Sequence, residues 1–563
     1  VKLLVRGGYV YDPANGVRGE VMDIAIQDGR VVEDVQGSDV ELIDARGKMV
    51  MPGGVDLHSH IAGPKVNAGR LLRPEDHYRD LVPAAGVRRA GVGYSVPSVF
   101  VTGYRYAEMG YTTVFEPATP PLKTLHTHDE LNDIPIIDKA CFPLLGNNWF
   151  VMEYLAQGRV EECAGYVAWL LERLKGYAIK IVDPGCVEAW KWGGSVDELD
   201  RQVPRFGITP REIVRGLCQV NRLLGLPHPI HVHANRLGLP GNYRTTLQTM
   251  DAVRDLAEDG RPVIHLTHVQ FNGYAGHDWA SLASGAEAIA RYVNRHKHVS
   301  IDMGQVIFTD TTTMTADGPF EYQLSVLTGN RWINGDVEAE TGSGVVPIAY
   351  RRNNYVHAVM WAIGLELALL VEDPWRVYLT TDHPNGGPFT AYPRVIAWLM
   401  SRRARERVLR RIPRMARIRT ALNTIEREYS FEEIAIVTRA ATARILGLQD
   451  KGHLGVGAAA DVAIYDIDPR EVDPARDFKR VRRAFRWAAY TIKDGRVVVR
   501  DGEVVASQPG RTYWAKPRFK EDVVATVQDE VAERFEDYYT VKLANYMVPE
   551  RYLAWSAPLE VGG

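Results

Sequence analysis

The chain has 563 residues, with 67 Lys and Arg against 70 Asp and Glu and a formal net charge of -3. That length suits one large domain with an accessory unit, and the balanced charge excludes a general pull toward nucleic acid or an acidic membrane. The four cysteines, Cys141, Cys163, Cys186 and Cys218, form no C-x-x-C pair, which argues against a zinc ribbon or an iron–sulfur cluster and fits a reducing, cytoplasmic setting. The N-terminus meets Arg6 before any signal-type apolar run forms, and the most apolar stretch, VHAVMWAIGLELALLV, carries His357 and Glu366. Neither targeting to a membrane nor crossing one is expected.

Residues 1–51 read as short strands, with Asp28-Gly29 placed between apolar runs as a two-residue hairpin loop requires. From 52 to 450, eight apolar runs alternate with helical patterns: GGVDLHSH, YTTVFEPA, KACFPLLG, YAIKIVD, PIHVHAN, PVIHLTHV, HVSIDMGQVIF and RVYLTTDH. Such alternation means repeated βα units, and eight is the closure number of the TIM-type (β/α)8 barrel, so an α/β barrel fold is expected. One intervening helix puts Cys163, Val167, Leu170 and Leu174 on a single face. The region exceeds the roughly 250 residues of a typical barrel, which calls for long loops from Ile61 to about Gly110 and from about Thr309 to Trp375. Residues 451–512 return to hairpin grammar at Asp494-Gly495 and Asp501-Gly502, as if both chain ends built one β-sandwich, and 513–563 reads as an ordered polar extension.

The strand ends carry the chemistry. The first ends in His58-Ser59-His60, the fourth carries Lys180, the fifth offers His231 and His233, the sixth His265 and His268, and the eighth ends in Asp382-His383. In a barrel, residues at the C-terminal ends of different strands meet at one mouth, and alternation puts His58 and His60 on the same side of theirs. One such histidine is more often a core residue. Five of eight strands supplying a ligand-type residue at the same end point instead to a metal site. Lys180 is unusual inside an apolar run, because a buried lysine needs a partner. It reads either as half of an ion pair or as a carbamate bridging two metal ions.

The order H-x-H, Lys, His, His, Asp resembles the metal-dependent amidohydrolase superfamily, as do the framing segments MPGGVDLHSH, ATARILGL and GHLGVGAAADVAIYD. That resemblance implies a barrel flanked by a split β-sandwich and two divalent metal ions, expected as Zn2+. It implies that His58 and His60 hold the first ion, that Lys180 bridges as N6-carboxylysine, and that His233 and His268 hold the second. Asp382 is then both a ligand of the first ion and the general acid/base. The superfamily pattern favours His233 over His231 and His268 over His265, although the residues alone leave both pairs open.

The longer segments HSHIAGPKVNAGRLLRPEDH and TTDHPNGGPFTAYPRVIAWLM resemble the A subunit of the formylmethanofuran dehydrogenase family and of the related formyltransferase/hydrolase complexes. This implies interconversion of formate plus methanofuran with N-formylmethanofuran, with partner subunits that carry tungsten or molybdenum and iron–sulfur centres. A hydantoinase or dihydropyrimidinase is the rival enzyme, but Asn235 stands where those would show H-A-E, and neither carries GPKVN. A metal-free scaffold protein would not need the full ligand set. Lys65, Asn67 and Arg70, on the loop after the H-x-H, are candidate substrate contacts. Tyr104, Tyr106, Trp190 and Trp192 are candidates to pack on a furan or phenol ring, though aromatics more often pack cores. The run from Arg402 to Arg419, nine arginines with one glutamate, reads as a solvated face or subunit contact rather than a dock for an acidic tail, with Pro413 interrupting any helix.

Overall fold

The computed structural model describes residues 1–194, 198–257, 260–334, 343–539 and 541–562. All eight expected runs contain a strand. In chain order these are β1 (Gly54–Asp56), β2 (Tyr111–Thr119), β3 (Asp138–Pro143), β4 (Lys180–Val182), β5 (Ile230–His233), β6 (Ile264–Leu266), β7 (Val299–Asp302) and β8 (Val377–Tyr378). They pair in parallel within two sheets, β1 to β3 and β4 to β8. Two further parallel bridges link the sheets at both edges, Leu144 to Lys180 and Ser59 to His383. Every residue of β2, β3 and β5 is buried, on both faces of the strand, as parallel strands covered by helices must be. The helix carrying Cys163, Val167, Leu170 and Leu174 spans Val160–Leu174, with all four side chains buried.

The two chain ends share one nine-stranded sheet, joined where Val462–Tyr465 pairs antiparallel with Met49–Pro52. Its three expected hairpin turns form with positive φ at both loop residues: Asp28 and Gly29, Asp494 and Gly495, Asp501 and Gly502. That conformation suits the right-handed twist of the flanking strands and explains the Asp-Gly pairs.

The C-terminal extension is more deeply built in than a polar tail. Thr512–Pro517 adds in parallel to the edge of β3, and Ser556–Val561 adds in turn to it. Between them the helix Glu521–Tyr538 buries Val527, Val531 and Phe535 against Val160–Leu174. Gly165 lies where any side chain would press on Val523, so the two helices can approach closely.

The long loop expected before the eighth strand is an ordered insert. It holds a three-stranded sheet, Asp310–Thr315, Ile333–Asn334 and Gly344–Ala349, and the helices Gly318–Thr328 and Tyr355–Leu370, while part of its span, 335–342, lies outside the described residues. Tyr355–Leu370 is the most apolar stretch of the sequence and is packed in the core, with Glu366 accepting hydrogen bonds from Ser284 and from the Ala421 and Leu422 amides. Among the described residues no helix is long and apolar enough to cross a membrane. The arginine run forms two short helices, Arg402–Leu409 and Arg414–Ile418, on either side of Pro413. Arg405 is buried there and donates to the carbonyls of Trp398, Ile425 and Arg427, and Arg402 pairs with Glu406 and Glu426.

Candidate metal centre

His58, His60, Lys180, His233, His268 and Asp382 line one cavity, roofed by Thr313, Thr315, Phe320 and Glu321 of the insert. The H-x-H works as its alternation predicts: His58 Nε2 lies 2.8 Å and His60 Nε2 3.3 Å from the same atom, Asp382 Oδ1. Ligand atoms of His58, His268 and Asp382 lie within 4.8 Å of one another. Asp382 adopts φ +49°, and its Oδ2 accepts from Asn385 Nδ2 at 2.9 Å. Burial pushes the Asp382 carboxyl above its ordinary pKa, against the pull of His60.

Three polar atoms in this cavity are buried without a partner, Lys180 Nζ, His268 Nδ1 and Glu321 Oε1. Burial brings the Lys180 ammonium down to about 7, with Asp382 and Asp302 too weak to offset it. A buried amine and an imidazole nitrogen without hydrogen bonds are costly in a finished protein, and both are groups that bind or bridge metal. The residues present therefore fit a metal centre.

The two open choices separate by their neighbours. His231 Nε2 lies 2.8 Å from His58 Nδ1, and His231 Nδ1 meets His228, whose other nitrogen reaches the Ile445 carbonyl. This chain of imidazoles orients His58 from behind, leaving His233 to line the cavity. His265 has both nitrogens engaged, by Ser300 and Asp302, whereas His268 lines the cavity with Nδ1 free. His58, His231 and Asp302 also come close enough to form a second candidate cluster, but His265 and the His268 amide already occupy the Asp302 carboxylate.

The three loop residues expected to contact substrate are placed differently. Lys65, Asn67 and Arg70 are not among the cavity-lining residues. Lys65 Nζ is buried and donates to Glu116 Oε1 at 2.7 Å, Asn67 meets His126, and Arg70 bonds the Pro97 carbonyl, Asn67 and Glu130. A short loop helix, Pro64–Leu72, turns them toward its own neighbours, so in this structure they brace the loop. Tyr104 and Tyr106 are core residues, Tyr106 stacking on Phe389, donating to Asp56 and accepting from the Ser59 hydroxyl. Trp192 donates to Glu188 and is half exposed, while Trp190 lines a neighbouring pocket that shares Leu237 and Phe320 with the cavity.

Sequence reasoning missed the layer behind the ligands. Glu116 accepts from His60 Nδ1, from Lys65 and from the amides of Ile61 and Ala62. Burial alone would raise its carboxyl, but Lys65 and His60 outweigh that and hold it at about 2. Asp317, at the head of Gly318–Thr328, accepts from His233 at 3.1 Å. Glu321 is buried in the cavity wall with one oxygen on Thr313 and the other unpartnered, and burial holds it well above the usual carboxylate range. Glu116 could have been found as Lys180 was, as a charge inside an apolar run. Asp317 and Glu321 carry no such signal.

Set beside known proteins, residues 41–499 match the amidohydrolase family, and this chain belongs to it. Within that family it is 53% identical over 561 residues to protein FwdA of Methanocaldococcus jannaschii, covering 98% of this chain and 97% of that one. It is 39% identical over 555 residues to the A subunit of the formyltransferase/hydrolase complex Fhc of Methylorubrum extorquens, covering 97% and 96%. The crystal structure of the Methylorubrum FhcABCD complex with methylofuran contains a chain similar over the full length of both, with a TM-score of 0.89 and 36% identity. The chain therefore stands with FwdA and the Fhc A subunit.

Proposed function

We propose that the chain is the amidohydrolase component of a multi-subunit one-carbon complex and interconverts formate plus a methanofuran-type amine with the N-formyl amine. What carries this reading is near-complete coverage at 53% and 39% identity by FwdA and the Fhc A subunit, the latter's complex having been solved with methylofuran. The eight parallel strands and the two bridges linking their sheets support closure as a (β/α)8 barrel over residues 52–450, with 1–51 and 451–512 as the flanking β unit and 513–563 as an added edge. Four thiols buried on separate elements support assigning redox centres to partner subunits, and suit a cytoplasmic protein.

His58 and His60 with Asp382 would hold one divalent ion, expected as zinc, and His233 and His268 the second, with Lys180 carbamylated between them. Its unpartnered, buried Nζ supports the carbamate. When bound, such ions supply an activated water and polarise an acyl oxygen. Asp382 moves the proton: Oδ1 faces the two imidazoles, and Oδ2, steadied by Asn385, takes a proton during attack and returns it to the leaving amine. In synthesis the same atom removes the proton of the incoming amine.

The cavity offers about 20 Å3 to water-sized groups, which suits a formyl group and little more. It shares Phe271, Thr313 and Phe320 with an apolar chamber of about 220 Å3, lined also by Tyr274, Trp279, Ile348 and Met360. That chamber would take the aromatic part of the amine and help exclude water from the bond being cleaved.

The test is turnover of N-formylfurfurylamine against dihydrouracil by wild type and Asp382→Asn. Wild type should cleave the formyl amine and leave the cyclic amide. The variant should keep its metal while losing about a hundredfold to ten-thousandfold in both directions. Cleavage of dihydrouracil alone would overturn the substrate reading, and near-normal turnover by Asp382→Asn would overturn the proton route.

A further inference from the structure

Away from the candidate metal centre, the helices Tyr392–Met400 and Phe478–Arg486 pack side by side and border a further concavity of about 420 Å3. Its lining is Thr390, Ala391, Pro393, Arg394, Lys479, Arg482, Arg483, Arg486 and Trp487, five cations and no carboxylate. We infer that this pocket binds a multivalent oxyanion, a ligand carrying several carboxylate or phosphate groups.

The first argument is the missing countercharge. Among the described residues, none of the five cations has a salt bridge or a side-chain hydrogen bond, and Arg486 Nη1 is fully buried without a partner. The acids nearest Arg486, Asp80 and Glu108, are already paired with Arg105. On Phe478–Arg486, Lys479 with Arg483 and Arg482 with Arg486 stand four residues apart, where like charges destabilise a helix. At two other helices an acid meets an arginine at that spacing, Glu287 with Arg291 and Arg402 with Glu406.

The second argument is crowding. Burial, then Arg482 and Arg352, push the Arg394 guanidinium down to about 10, and burial with Arg105 does the same to Arg486. Guanidiniums this deeply buried beside other arginines gain most from a resident anion, and arginine forks suit planar carboxylate or phosphate oxygens. Trp487, with Arg486 4.1 Å over its ring, gives the pocket a flat wall. Thr390, in its lining, stands eight residues past Asp382 in the chain.

Trimesate and trimetaphosphate, trivalent anions that chelate metals weakly, serve as probes in calorimetric titration of the purified full chain. Each chain should bind one anion, at least tenfold more weakly in the exposed double variant Arg482→Gln/Arg483→Gln and unchanged in Arg291→Gln. Raising the salt should weaken binding in wild type. Preference for trimesate assigns a carboxylate ligand, and preference for trimetaphosphate assigns a phosphate. Absence of binding by both probes, or equal binding by wild type and the double variant, overturns the inference.

Discussion

Lys180 concentrates the chemistry of the site in one residue. Its amine is buried beside four histidines and an aspartate with nothing to bond to, a placement that costs several kcal/mol for an unpaired cation. The proposed carbamate would resolve the conflict, because it would replace the cation with a carboxylate-like anion that bound metal ions can meet. Lys180→Ala should therefore lose bound metal and activity together, and a short carboxylic acid added with metal should restore part of both. Metal analysis checks this, and an alanine variant with full metal content would remove the bridge. At this scale the sequence was legible where a polar residue interrupted an apolar strand, as Lys180 and the H-x-H do. It was silent on Asp317 and Glu321, since acids in a helical first turn are common and nothing in their spacing says which way they face.

At the scale of elements, strand alternation did most of the work. His58 and His60 share a side, and His231 and His233 share another, but only packing decides that His231 props His58 while His233 lines the cavity. The helix Thr124–Asp133 shows the same limit, for its His128 stands among polar residues in the sequence and is fully buried. His128 Nε2 donates to the Leu174 carbonyl at the end of Val160–Leu174, and burial lowers its pKa to about 4. The unfolded chain, with an ordinary histidine near 6.5, binds this proton first as the pH falls. Stability from this group is thus complete above about 6.5 and declines as pH falls toward about 4, by up to about 3 kcal/mol. His128→Gln should flatten that part of the denaturation midpoint profile between pH 6.5 and 4, and a profile as steep as wild type would count against it.

On the whole-molecule scale, the chain ends hold the fold together. The N-terminal strands pair with segments past residue 460, and the last strands extend the edge of β3. Phe535 shows how much rests on the final segment: it is buried against Tyr539 and Tyr546 at ring distances of 5.0 and 4.8 Å. Phe535→Ala should cost about 3 to 5 kcal/mol by denaturant unfolding, without changing metal stoichiometry in the folded protein. A loss below about 1 kcal/mol would mean that the C-terminal helix is a dispensable cover.

By itself the sequence determined the eight strands, the three Asp-Gly turns and the residue types that line the cavity, because alternation, turn conformation and apolar runs are set by residues near one another in the chain. Only the tertiary structure decided which histidine of each pair lines the cavity, that Lys65 bonds Glu116, that the insert roofs that cavity with Glu321, and that the C-terminal segment joins the sheet. Those outcomes rest on contacts between residues far apart in sequence, 51 positions for Lys65 and Glu116 and 324 for His58 and Asp382. Local pattern carries no record of them; they follow from which surfaces remain to be buried once the strands have paired.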